Sequence, residues 1–313
     1  MGRDTVGYGP IMDYAAALEV FFTDPPDDVA LTVPAATPAR RLRDAVEPLA
    51  MHAVWSAPVN ATLAGHGHDF LTGYVTGRAA ALGEVPSSVV AATFAVFEPG
   101  LVDALWSTGR TLLPLPDLLA LRDEATAASL REVLAGVPDA DVTPVVDVLE
   151  RAVAAADGTG RVLFSALRAR PPLTDPVARL WRAADLVREH RGDGHVAACV
   201  AAGLDPVRMG ILMEVWLGYP LGEYSGTRAW PQEATDTAVA RLEADGLLAG
   251  GAITDRGREM RDGIEAATDT AQDGLLAAVG SDLDDVVAAC TDWSRRCVEA
   301  RAFPPDPRKR AAG

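Results

Sequence analysis

Lysine is almost missing from this chain of 313 residues: Lys309 is the only one, so arginine carries nearly all of the positive charge. Histidine is scarce, with five copies, and aromatic residues make up 6%. The three cysteines, Cys199, Cys290 and Cys297, form no CxxC pair, which removes the commonest structural zinc and thioredoxin-type motifs. They read as reduced core thiols. The chain has no apolar run of about 18 residues and does not open on a basic stretch followed by an apolar one. No membrane span or signal peptide is therefore expected, and the chain reads as cytoplasmic. GxSxG, HExxH and EF-hand loops are absent, and GTGR (158–161) and GDGH (192–195) lack the strand–loop–helix setting of a phosphate cradle. These absences exclude the easily recognised enzyme classes. Positive charge is also in deficit: 28 basic against 44 acidic residues give a formal net charge of −16. Such a chain repels a phosphate backbone unless it carries a local basic patch, and Arg308 to Arg310 are too few and too near the end to form one.

What is present is a globular composition, with 49% hydrophobic and 23% charged residues, long enough for two domains with cores of their own. Residues 1–37 stand apart: GPIMDYAAALEVFF gives one short helix and TDPPDDVALTVPAATP an extended, proline-rich linker. From 38 to 172 helical spacing dominates, as in RRLRDAVEPLAMHAVW, where Leu42, Val46, Leu49, Ala53 and Val54 share a face. Ser87 is placed to cap PSSVVAATFAVF, and Gly136 and Gly158 to end two later amphipathic helices. The proline-rich RARPPLTDP (168–176) reads as a hinge into a second domain over 173–301, with 302–313 as a disordered tail. Thr174 or Asp175 caps a helix through ARLWRAADLVREH. Gly192 is expected to stop it and Asp193 to cap the next, giving a tight helix–turn–helix.

The segment WPQEATDTAVARLEADGLLAGGAITDRGREMRDGIEAATD predicts a helix ending in RLEADGLL, a hairpin AGGAIT and the start of a long helix. It resembles the recognition helix, wing and exit helix of MarR-type winged-helix proteins. The expected fold is mainly α: a helical N-terminal domain followed by a winged-helix domain with one small β-hairpin. Terminal helices over 281–301 offer a packing or homodimer surface. MarR-type modules usually bind DNA, yet the recognition helix here carries Glu233, Asp236, Glu243 and Asp245 against Arg241 alone. Arg256, Arg258 and Arg261 are largely offset by Asp255, Glu259 and Asp262, and Pro220 and several glycines break up the stretch before the recognition helix. Base readout and phosphate contact need the opposite balance. Nucleic acid is disfavoured as a partner, and a ligand-responsive regulator stands as the alternative reading.

The heptapeptide EHRGDGH concentrates polar chemistry. Turn formation accounts for Gly192 and Asp193 but not for Glu189, His190, Arg191 and His195 on an otherwise apolar helix pair. The surrounding run LWRAADLVREHRGDGHVAACVAAGL resembles actinobacterial SalK-like winged-helix hypothetical proteins. VEPLAMHAVW, GYVTGRAAALG, the FEP of Phe97 to Pro99 and RLEADGLL fit the same pattern, although Trp55 and Ser56 stand where Tyr-Phe is more usual. The resemblance spans residues 39–300 and implies a fold rather than an activity, with a role in specialised metabolism suggested by its hosts.

The matched polar positions suggest one pocket between the domains, the usual place for a small-molecule site. In that reading His190 or His195 carries a proton, with Glu189 or Asp193 orienting it. Arg78 or Arg191 holds an anionic oxygen, and His52, Trp55, Tyr74, Phe97 and Trp106 line the walls. Each has a plainer role: His52 as a core histidine, Arg78 in an ion pair, Trp106 in the core. Whether catalysis follows binding stays open, as does a purely assembly role. No motif requires a cofactor or a metal. The HxH of His66 and His68 reads as a solvated loop, and ligation of heme or zinc by His52, His190 and His195 stays open, without the i, i+4 spacing of a helical pair.

Overall fold

The computed structural model describes residues 14–25 and 37–312. The expected linker falls mostly outside the described residues. The polypeptide is mainly helical: α1 (Tyr14–Phe21), α2 (Pro38–Ala50), α3 (His52–Trp55), α4 (Ala57–Ala64), α5 (Phe70–Ala79), α6 (Ser87–Phe94), α7 (Pro99–Leu112), α8 (Leu115–Val133), α9 (Asp139–Ala155), α10 (Val162–Arg168) and α11 (Pro176–Ala201) precede a winged-helix unit. That unit comprises α12 (Pro206–Trp216), α13 (Gln232–Ala244), β1 (Leu248–Ala249), β2 (Ala252–Ile253) and α14 (Asp255–Thr270). Three further helices, α15 (Asp273–Val279), α16 (Leu283–Glu299) and α17 (Pro307–Ala312), complete the chain. No single described helix is long and apolar enough to cross a membrane.

The ends of these helices follow from local chemistry. Thr37, Asp69, Glu98, Asp175, Asp205 and Thr254 each accept a bond from a first-turn backbone N–H, as good N-caps do. The wing also forms as its sequence predicts. Leu248 pairs with Ile253 and Ala249 with Ala252, and Gly250 and Gly251 both take positive φ, which a two-residue hairpin of this hand requires.

The helix break at Gly192 does not occur. α11 runs unbroken through EHRGDGH, with neither Gly192 nor Gly194 in the left-handed region. Two glycines inside a helix cost roughly 1 kcal/mol each relative to alanine. Packing outweighs that cost, because α11 lies against α2, α8, α9, α10 and α14 and buries Leu180, Trp181, Ala184 and Val187. Asp193, expected to cap its own helix, caps another: its Oδ2 accepts from the Phe164 backbone N–H at 3.0 Å, at the start of α10.

Domain limits also differ from those expected. The main core gathers α1 to α10, the first part of α11, and α15, α16 and Phe303, so the helices after the wing return to the N-terminal body. Its neighbour, built on Ile211, Leu212, Ala238, Leu242, Leu248 and Ile264, belongs to the winged-helix unit and includes Cys199 from the far end of α11. Buried residues of α11 thus contribute to both clusters, Val177 to Val187 to the first and Cys199 to the second. Nor does α1 stand apart: Phe21 and Phe22 are buried, and the Tyr14 hydroxyl donates to the Trp55 carbonyl at 2.6 Å. Residues 302–312, expected to be disordered, fold back instead. Phe303 is buried in the main core, Arg308 pairs with Asp306 at 2.9 Å, and α17 packs on α2. All three cysteines are free and buried, and burial pushes their thiols up to about 11 or 12.

Candidate ligand-binding cleft

Between the body and the winged-helix unit lies a cleft whose empty space, open solvent at its mouth included, is about 690 Å³. Phe21, Met51, Trp55, Phe70, Leu71, Tyr74 and Phe97 come from the body, Arg188 from α11, Tyr224, Thr227 and Arg228 from the winged-helix unit, and Phe303 and Lys309 from the tail. The rings interlock: Trp55 sits 5.2 Å from Phe21 and 5.4 Å from Phe70, and Tyr74 sits 5.8 Å from Phe97. Such a wall offers flat apolar surface at little entropic cost.

One side of the cleft is a chain of matched charge. Arg188 bonds Glu47, which also lines the cleft, at 3.2 Å and Glu189 at 2.7 Å. Behind it Arg78 grips both Glu189 oxygens at 2.8 and 3.0 Å and donates to the Tyr74 hydroxyl at 2.8 Å. Burial alone would raise the Glu189 carboxyl, but Arg78 and Arg188 hold it below its ordinary value.

The opposite side is a loop, residues 217–231, that separates α12 from α13. Buried Glu214 organises it by accepting from the backbone of Gly222 (2.7 Å), Tyr224 (3.0 Å) and Ser225 (2.7 Å) and from the Ser225 hydroxyl (2.8 Å). Further along, the Glu98 N–H donates to the Arg228 carbonyl (3.0 Å), and the Trp230 indole donates to the Val96 carbonyl (2.8 Å). Ala229 between them takes φ 62, a conformation alanine adopts only under constraint. The loop that carries Tyr224 and Arg228 is thus held from both ends.

Of the residues singled out from sequence, Trp55, Tyr74 and Phe97 line this cleft, whereas Arg78, His52, Trp106 and Arg191 do not. Arg78 is occupied by Glu189. Trp106 is core, its indole donating to the Val85 carbonyl at 3.0 Å. His52 is fully buried with Nε2 at 3.0 Å from the Ser129 hydroxyl, and burial lowers its pKa to about 4. Arg191 bonds Glu265 at 2.8 Å and Asp269 at 3.0 Å, joining α11 to α14.

Glu189, His190, Asp193 and His195 share α11 but face different neighbours. His190 donates from Nε2 to the Asp157 carbonyl (3.2 Å), accepts at Nδ1 from the Gln272 amide (2.7 Å) and packs on Phe164. Burial, then Arg161, lowers it to about 4. His195 donates from Nδ1 to the Thr268 hydroxyl at 3.0 Å, with the Cys199 sulfur 3.6 Å from Nε2. Burial, then Arg261, lowers it to about 3. Asp193, occupied at α10, is pushed up to about 6, chiefly by burial. Neither imidazole borders the cleft, and both stay neutral at pH 7. The described residues hold no cluster of three or more potential His, Cys, Asp or Glu metal ligands.

A model of a helix-turn-helix family matches residues 39–304. The chain belongs to that helix-turn-helix family. No curated protein and no solved structure matches it. In helix-turn-helix proteins the two helices are usually joined by a turn of about three or four residues. Residues 217–231, which join α12 to α13, are much longer than such a turn and supply one side of the cleft. The outer face of α13 exposes Glu233, Asp236 and Glu243, with Asp245 just beyond, against Arg241. No basic residue lies in the wing at 248–253, and Arg261, counted with the wing from sequence, is buried over Trp216 and paired with Glu265 at 2.7 Å.

Sequence reasoning passed over Phe21, Glu47, Met51, Phe70, Leu71, Arg188, Tyr224, Thr227, Arg228, Phe303 and Lys309. One signal was available: the only lysine of the chain sits in the tail. The others read as ordinary core or loop residues until the fold brings seven separate stretches of chain together.

Proposed function

We propose that this helix-turn-helix protein binds a small, flat, mostly apolar molecule in the cleft, and that occupancy governs the placement of its winged-helix unit. The observation that carries this reading is the origin of the walls: the loop joining α12 to α13 of the winged-helix unit faces rings from the helical body. A ligand spanning both sides has different contacts in any arrangement that separates them, which is the condition for shifting a conformational equilibrium. The resemblance to SalK-like actinobacterial proteins supports a ligand from specialised metabolism. The reading stops at binding, since His190 and His195 lie away from the cleft with their ring nitrogens engaged.

The neutral fluorophore N-phenyl-1-naphthylamine tests it. One saturable site per chain is expected, lost in Trp55→Leu and Tyr224→Ala variants that retain the wild-type circular dichroism. Saturable binding undiminished by both substitutions overturns the reading.

A ligand-responsive DNA-binding regulator is the second reading, favoured by membership in a helix-turn-helix family and opposed by the acidic face of α13. Salt-dependent retention of duplex DNA supports it, and absence of binding at low salt ends it.

A further inference from the structure

The cleft charges divide into two kinds. Glu47 and Arg188 neutralise each other, while Arg228 and Lys309 have no carboxylate within ion-pair distance among the described residues. Carboxylates are not in short supply, with 44 acidic residues in the chain. Among the described residues, the recorded ion pairs are made by arginine, His195 aside, so the lone lysine stands outside the system that holds the fold.

The two unmatched cations are also close together. The Arg228 guanidinium lies 4.5 Å and the Lys309 ammonium 4.3 Å from the centre of the Tyr224 ring. Arg228 lies 4.6 Å from the Phe97 ring and Lys309 4.4 Å from that of Phe21. Aromatic faces hold the cations in place without cancelling their charge. Two like charges over one ring, partly withdrawn from water, repel each other, and an anion between them relieves both the repulsion and the lost hydration.

We propose that the cleft selects an aromatic anion, its rings against Trp55, Phe70, Tyr74 and Phe97 and its carboxylate or equivalent group between Arg228 and Lys309. This rests on the ligand-cleft reading above and deepens it. The Lys309 amine faces Arg228 and Glu223 from the loop, Asp306 and Arg308 from its own segment, and the Tyr219 and Tyr224 phenols. Burial, then Arg228, brings it down to about 7. Affinity for the anion is therefore highest below pH 7, where the amine is charged, and falls as pH rises above that value.

Calorimetric titration with 2-naphthoate and the neutral 2-naphthalenemethanol tests the proposal on the full chain. At pH 6 the carboxylate is expected to bind at least about tenfold tighter than the alcohol, the strength of one charge-assisted pair. Arg228→Gln and Lys309→Met each weaken binding of the carboxylate more than binding of the alcohol and so remove most of that preference, and Lys309→Met also flattens the pH profile between 6 and 8. Equal affinity for the two probes, or equal losses for both in the variants, overturns the anion assignment and leaves the cleft reading standing. Binding of neither probe to the wild type removes both.

Discussion

Two charged regions flank α11, and they are built on opposite plans. At the junction with the winged-helix unit, buried Glu265 receives Arg40 at 3.0 Å, Arg191 at 2.8 Å and Arg261 at 2.7 Å, joining α2, α11 and α14. Burial opposes the Glu265 carboxylate, but the surrounding Arg261, Arg191, His195 and Arg40 hold it well below the usual carboxylate range. In the cleft, Arg228 and Lys309 lie over aromatic rings, and among the described residues no carboxylate comes within ion-pair distance of either. A closed set of charges fixes helices to one another. An incomplete set is a position from which something else can be recognised.

The largest effect that can break this comparison is at the junction. Glu265→Gln leaves buried Arg261 without a carboxylate and takes one of two carboxylate partners from Arg40 and from Arg191, and is expected to cost about 3–5 kcal/mol in urea denaturation, the range for removing one partner of a buried ion pair. Arg228→Gln and Lys309→Met should each cost less, no more than about 1–2 kcal/mol, the range of the ring contacts they lose. Similar losses in all three variants would mean that the cleft cations are structural.

Acid gives the next largest effect. His52 and His190 are held at about 4 and His195 at about 3, all below the ordinary 6.5. The unfolded chain therefore takes up protons first, so stability is intact above pH 6.5 and drains away as pH falls towards 4. Each buried imidazole accounts for about 2 kcal/mol of that loss by pH 4.5. Chemical denaturation from pH 7 to 4.5 should show it, with a shallower slope in His52→Gln; a flat profile would deny that these rings are locked neutral.

The smallest effect sharpens the reading of α11 itself. Gly192 is helical, and a methyl group added there meets nothing closer than the Glu189 Oε2 at 3.6 Å. Gly192→Ala should therefore stabilise the protein by roughly 0.5–1 kcal/mol in thermal or urea melts. A helix that stopped at this glycine would instead be destabilised.

Much of the fold was legible in the residues. Threonine and carboxylate side chains at helix starts, and the Gly250–Gly251 turn, act within a few positions of themselves, so the helices and the wing could be read locally. The break expected at Gly192 failed because the same glycine serves as a stop signal or as a tolerated interior residue depending on what packs around it. The aromatic part of the cleft was partly visible in Trp55, Tyr74 and Phe97. Its charged part was not: Arg188 resembles any helix arginine, and Lys309 lay in a segment that looked like a tail.

The sequence by itself determined a mainly helical chain with a winged-helix unit, and an acidic face where a groove-reading helix would need a basic one. Only the tertiary structure decided which charges are satisfied. An ion pair joins residues far apart along the chain, as Arg40 and Glu265 are, and local patterns carry no record of which partner closes each charge and which charge is left open.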